Sequence, residues 1–209
     1  MSYTTKQQVE NYLQIDISTD LDTQVASWIT MAEQYIDNFT DRHFEEVSAI
    51  RKFEGNGEDE MWVDDLLGVT LIFMVENDAT SDASTIALAT TDYHLKQGDD
   101  ANKTPYNKIQ LNENGDYDYF REGQLNIWIE GTWGYSSVVP DDIKMIATKL
   151  VASIVKTGKD GNVKSFTEHD YSVTYLEFQK VLDSDISLKT TLNMYRKVSE
   201  LKGFNMTKS

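Results

Sequence analysis

The chain has three histidines, His43, His94 and His169, and they lie far apart in sequence. None belongs to a His-Glu-x-x-His or His-x-x-x-His pattern, so a metal centre would have to be assembled from distant segments. His169-Asp170 has the look of a ligand pair from a metal-dependent phosphohydrolase, but no matching upstream His or downstream Asp accompanies it, and the pair reads as part of a turn. Asn112, Asn114, Asp116 and Asp118 offer oxygens at alternate residues, as a calcium loop does. The glycine falls at Gly115 and no bidentate Glu follows at the required distance, so this segment reads as a solvated turn. Gly158-Lys159 lacks the upstream glycine and the following Ser or Thr of a phosphate loop. Asp64-Asp65 and Asp141-Asp142 carry the right groups for acid/base work, yet a chain this acidic contains such pairs by chance. Asp141-Asp142 reads better as helix capping. The absence of cysteine excludes disulfides, thiolate zinc sites and thiol catalysis together. With no nucleophile and base at a readable spacing, the expectation is a protein that is not an enzyme and carries neither cofactor nor metal.

The four tryptophans and eleven tyrosines suit either a sugar site or an interface. Trp28 sits on a helical stripe and reads as packing; Trp62, Trp128 and Trp133 fit either role. The elements that would position these residues follow from periodicity. Thr4 or Thr5 can cap a short helix through Leu13. From Asp20 to Phe39 the residues Leu21, Val25, Trp28, Ile29, Ala32, Ile36 and Phe39 recur at steps of three and four, marking an amphipathic helix. Short β-like runs then take over. Ala49–Phe53 and Met61–Val63 flank Asn56-Gly57, a turn pair that predicts a hairpin. Leu66–Val75 reads as a buried strand, Tyr93–Lys96, Lys108–Leu111 and Leu125–Trp133 as further strands, with loops over Ala79–Thr91 and Gln97–Asn107. The last strand stops at Gly131-Thr-Trp-Gly-Tyr135. Pro140-Asp141-Asp142 then opens a helix whose stripe is Ile143, Ile146, Ala147, Leu150, Val151 and Ile154, ending near Gly158. Alternation at Tyr171, Val173 and Tyr175 suggests an extended arm over 165–175, and a closing helix runs from about Ile186 to Leu201. The predicted fold is therefore α+β. A helical framework from residues 1–46 and 136–209 encloses a small antiparallel β-rich insertion over 47–135.

The chain has 209 residues, 40% of them hydrophobic and 26% charged, close to an ordinary globular protein of one domain or one domain with an insertion. No apolar run is long enough to span a bilayer, and the opening residues lack a signal-peptide core, so no membrane role is expected. A net charge of −16 argues against gripping phosphates. It fits either solubility alone or a repulsive wall along which DNA slides without sticking.

Several stretches, in order, carry a resemblance. They are Val9-Glu-Asn-Tyr-Leu-Gln-Ile-Asp-Ile17, Trp28-Ile-Thr-Met-Ala-Glu-Gln-Tyr-Ile-Asp-Asn-Phe-Thr40, Phe53-Glu-Gly-Asn-Gly57 and Asn102-Lys-Thr-Pro-Tyr-Asn-Lys-Ile109. Gly131-Thr-Trp-Gly-Tyr135 before the Pro140 helix, Phe166-Thr-Glu-His-Asp-Tyr-Ser-Val-Thr-Tyr175 and Leu192-Asn-Met-Tyr-Arg-Lys197 complete the series. Together they resemble the bacteriophage head-tail connector family, also called adaptor or head-completion proteins, in a version with a β insertion. The resemblance implies a ring of roughly a dozen copies docked beneath the portal protein, extending the DNA channel and presenting a surface to a downstream neck or tail-completion protein. It implies a place in the virion neck, after assembly in the host bacterial cytoplasm, with DNA passing through unread.

Within that reading, Tyr195, Arg196 and Lys197 form an aromatic and basic patch suited to an acidic or hydrophobic portal groove, or else Arg196 and Lys197 simply complement a helix C-terminus. The arm, with Phe166, Asp170, Tyr171, Val173 and Tyr175, either adds a strand to a neighbouring copy's sheet edge or packs at home. Two other function classes stay open: an acidic DNA mimic that blocks a nucleic-acid enzyme, and a glycan-binding protein using the β-region aromatics.

Overall fold

The computed structural model describes residues 2–75, 85–157 and 171–197. The chain divides into two compact units, one from Met1–Arg42 with Asp141–Ser209 and one from His43–Pro140.

The first unit is helical. Helix α1 (Lys6–Leu13) opens on a capping box: the Thr5 hydroxyl accepts the Gln8 N–H, and the Gln8 side chain accepts the Thr5 N–H at 2.8 Å. Thr4 is instead buried, its hydroxyl 2.7 Å from that of Thr148. A short 3-10 turn (Thr19–Leu21) leads into α2 (Asp22–Thr40), which buries Val25, Trp28, Met31, Ala32, Tyr35 and Ile36. The expected stripe is therefore present, with Met31 and Tyr35 joining it and Leu21, Ile29 and Phe39 half-buried at its margin. Helix α3 (Asp141–Thr157) follows Pro140 directly and carries Asp141 and Asp142 in its first turn, where carboxylates suit the positive dipole end. Its stripe from Ile143 to Ile154 is buried as expected.

After α3 the structure departs from the reading of the sequence. Phe166 and Asp170 lie outside the described residues. Tyr171, Val173 and Tyr175 do not form an extended arm; their backbone is the start of helix α4 (Tyr171–Ser184). The physical reason lies further along, where Phe178 and Leu182 stand four residues apart and are both fully buried. The Phe178 ring meets that of Tyr35 edge-on at 5.5 Å, and Gln179 accepts the Tyr35 hydroxyl at 2.8 Å. Packing against α2 overrides the weak helix propensity of the β-branched Val173 and Thr174. Helix α5 (Ile186–Tyr195) begins at Asp185 and stops at Tyr195, earlier than Leu201.

The second unit is a six-stranded sheet: β1 (Val47–Gly55), β2 (Glu60–Val75), β3 (Thr85–Ala87), β4 (Tyr93–Lys96), β5 (Tyr106–Leu111) and β6 (Gly123–Trp133). Its order is β1-β6-β2-β5-β4, with β3 against β2, and its pairings are antiparallel. The expected β1–β2 hairpin does not form. Gly57 does take a positive φ of 76°, but β6 inserts between the two strands and pairs with both. Met61–Val63 and Leu66–Val75 are one continuous strand, bent by irregularities at Trp62/Leu66, Leu66/Gly68 and Val69/Leu71. Strand β3 occupies part of a stretch expected to be loop. Leu66, Ile72, Met74, Ile109, Ile127, Ile129 and Trp133 fill the core face.

Two glycines make the strand end possible. A Cβ at Gly131 would stand 2.5 Å from the Gly68 carbonyl oxygen of the neighbouring strand. Gly134 has φ +134°, and a Cβ there would stand 2.2 Å from the Glu45 carbonyl oxygen. Between them Trp133 is buried, donates its indole N–H to the Ala49 carbonyl at 2.9 Å, and lies under the Arg51 guanidinium at 4.6 Å.

Candidate functional site

The C-terminal end of α5 gathers the residues singled out as a docking patch. Asp185 starts the helix by accepting the N–H groups of Ser187 at 3.1 Å and Leu188 at 3.4 Å, and it receives the Lys149 ammonium at 3.3 Å. The Ser187 hydrogen bond is the main cause holding its carboxyl below the usual range, with Lys149 assisting against partial desolvation. Leu188 and Leu192 turn inward, while Ile186 and Met194 stand 76% and 80% exposed.

At Tyr195 the helix ends and Arg196 turns extended (φ −59°, ψ 128°). Several contacts fasten this end. The Lys197 N–H donates to the Thr40 carbonyl at 2.8 Å, the Arg42 Nε donates to the Tyr195 carbonyl, and the Tyr195 hydroxyl donates to Asp142 at 3.0 Å. The patch is thus a fixed corner where the ends of α2 and α5 meet the first turn of α3. Arg196 is exposed on it, with Tyr195 and Lys197 half-buried. Arg196 and Lys197 lie beyond the last residue of α5, and the helix end that residue 197 joins is that of α2. Thr40, Arg42, Asp142 and Met194 were not legible as members, because three of them come from segments remote in sequence and Met194 carries no chemical signature.

Other candidate residues are placed apart from one another. Among the described residues no group of three or more His, Asp or Glu is placed to hold a metal ion. His169 and Gly158-Lys159 lie outside the described residues. Asp64 and Asp65 project from β2 in opposite directions, Asp64 exposed and ion-paired with Arg51 at 2.7 Å, Asp65 buried. Asn112 closes a turn, its carbonyl accepting the Gly115 N–H at 2.8 Å and its side-chain oxygen the Asn114 N–H at 3.2 Å.

Trp28 and Trp133 are buried and present no ring face for a ligand. Trp62 is 48% exposed, with the Lys108 ammonium 5.3 Å from its ring centre. Burial pulls the Lys108 pKa down, but hydrogen bonds to Glu60 at 3.0 Å and Asp99 at 3.2 Å outweigh it and hold the group above the usual lysine value. Trp128 is half-buried beneath Lys52, whose ammonium sits 3.9 Å from the ring centre. No described helix is long and apolar enough to cross a membrane.

No protein-family model matches this chain, and no curated protein does. Among the solved structures that share its fold are two from particle necks. One is a chain from the neck of an empty GTA particle computed with C6 symmetry, with a TM-score of 0.55 and 13% identity, covering 94% of this chain and 91% of that one. The other is a chain from the neck of a native GTA particle computed with C12 symmetry, with a TM-score of 0.50 and 14% identity, covering 88% of this chain and 87% of that one. At such identities the likeness is one of fold.

Proposed function

We propose that this chain is a structural, non-enzymatic component of a bacteriophage neck. In this reading it is a head-tail connector that docks as a ring of about twelve copies beneath the portal protein, extends the DNA channel, and offers its other side to a downstream neck or tail-completion protein. The observation that carries the reading is the fold shared, over most of both chains, with proteins from the necks of GTA particles, one computed with C12 symmetry. The net charge of −16 supports it, since a channel wall that repels DNA lets the polymer pass. Placement in the virion neck follows from the same reading.

The corner at Met194, Tyr195, Arg196 and Lys197 supplies the portal contact. It combines an exposed apolar side chain with two cations on an otherwise acidic chain, and its backbone is anchored before any partner arrives. Phe166 to Tyr175 remains a contact between neighbouring copies, its part from Tyr171 onward entering as a helix rather than as an added strand. The test is portal docking by the Arg196→Glu, Lys197→Glu double variant. The substitution leaves in place the main-chain N–H of Lys197 that bonds Thr40 of α2, and circular dichroism of the variant checks that it is folded when docking is lost. Normal docking by the double variant would remove this patch from the account.

A further inference from the structure

Among the described residues strand β1 ends the sheet, with β6 on one side and no strand on the other. Its register on β6 is unbroken from Val47 to Phe53, the only irregularity falling between Phe53 and Gly55. A regular edge presents a row of main-chain donors and acceptors, which proteins usually guard with charge, proline or a bulge. Here Val47-Ser48-Ala49-Ile50 has none of these guards, and Val47 and Ile50 are 42% and 58% exposed. Charge appears only beside this stretch, with opposite signs at its two ends: Glu45 and Glu46 before it, Arg51 and Lys52 after it.

That order is self-complementary. An antiparallel strand of the same sequence brings its basic end to the acidic end of the first. Residues opposite one another in an antiparallel ladder project to the same face, so a two-fold axis through the sheet pairs odd numbers with odd and even with even. An axis at Ala49 sets Ser48 against Ile50, Val47 against the stem of Arg51, and Glu46 against Lys52 of the second copy, the last pair occurring twice. Glu46 and Lys52 are both exposed, and stacking on Trp128 holds Lys52 on its face of the sheet. An axis at Ser48 would call on Arg51, which is already held by Asp64 at 2.7 Å and by the Trp133 ring, and would set Glu46 against Ile50.

We propose that two copies of this chain pair through β1, antiparallel about Ala49. A two-fold contact closes at two copies, whereas a ring needs a head-to-tail contact, so this pairing does not rest on the neck reading. The experiment is sedimentation equilibrium of the full chain across a wide concentration range, with Glu46→Lys, Lys52→Glu and the double variant beside the parent. The parent should show a reversible monomer–dimer equilibrium. Each single reversal turns two attractive pairs repulsive and should weaken dimerisation about tenfold. The double variant should return to within about threefold of the parent, as coupled partners do. Because the chain has no cysteine, Ala49→Cys also places one thiol on each side of the axis, and oxidation should link the two copies. A parent that stays monomeric at every concentration overturns the proposal. So does a dimer indifferent to the single reversals, or one that the double variant fails to restore.

Discussion

Truncating Trp133 to Ala should unfold the β unit at markedly lower denaturant. Trp133 is the largest fully buried side chain among the described residues, its ring 5.7 Å from that of Phe53 and its indole N–H bonded to the Ala49 carbonyl at 2.9 Å. Removing a buried Trp side chain costs about 3–5 kcal/mol, combining lost apolar burial with the cavity left behind. Trp133→Phe keeps most of the apolar volume and chiefly removes the donor to Ala49, a loss of about 1–2 kcal/mol once a carbonyl is left short of a partner. Urea unfolding followed by far-ultraviolet circular dichroism separates the two. With a slope of about 2 kcal/mol per molar urea, the midpoint should fall by about 2 M for Ala and by about 0.5–1 M for Phe. An Ala variant within about 0.5 kcal/mol of the parent, the range of a surface substitution, would refute the placement of this ring at the centre of the core.

Gly131→Ala should lower the thermal midpoint, because its Cβ would stand 2.5 Å from a backbone oxygen of β2, and separating the strands costs about 1–3 kcal/mol; an unchanged midpoint would contradict that close approach. Phe178→Ala should destabilise the helical unit by about 3–5 kcal/mol and reduce the helical dichroism before the β signal, whereas a silent substitution would remove α4 from the core. Asp185 has its folded pKa lowered, so its contribution is present above the unfolded value and lost as pH falls through the folded one. Asp185→Asn should therefore flatten the dependence of stability on pH below about pH 4, and an identical slope in both proteins would count against the capping contact.

Helices α2 and α3 were legible because their apolar residues repeat with the helical period and each has one buried stripe. Pro140 with Asp141 and Asp142 marked the start of α3 by local chemistry alone. The α4 helix was not legible from its first turn, since Tyr171-Ser-Val-Thr-Tyr175 alternates every second residue like a strand. Its helical character is set by Phe178 and Leu182 meeting α2, a contact across more than a hundred residues of sequence. Asn56-Gly57 shows the same limit in the sheet. The pair has the right turn chemistry, but which strand lies beside β1 is decided by β6, far along the chain. Asp64-Asp65 obscured the continuity of β2, although one carboxylate faces water and the other the interior. At the corner the sequence displayed Tyr195, Arg196 and Lys197 as a local cluster. The partners that hold them, Thr40, Arg42 and Asp142, have no local signal and come together only through folding.

The measurement that bears most directly on the neck assignment is mass determination and particle imaging of the purified protein, alone and mixed with its portal protein. The neck assignment predicts portals carrying a collar of about twelve added copies once the protein is mixed with them. A protein that stays at one or two copies and leaves the portal bare would contradict it.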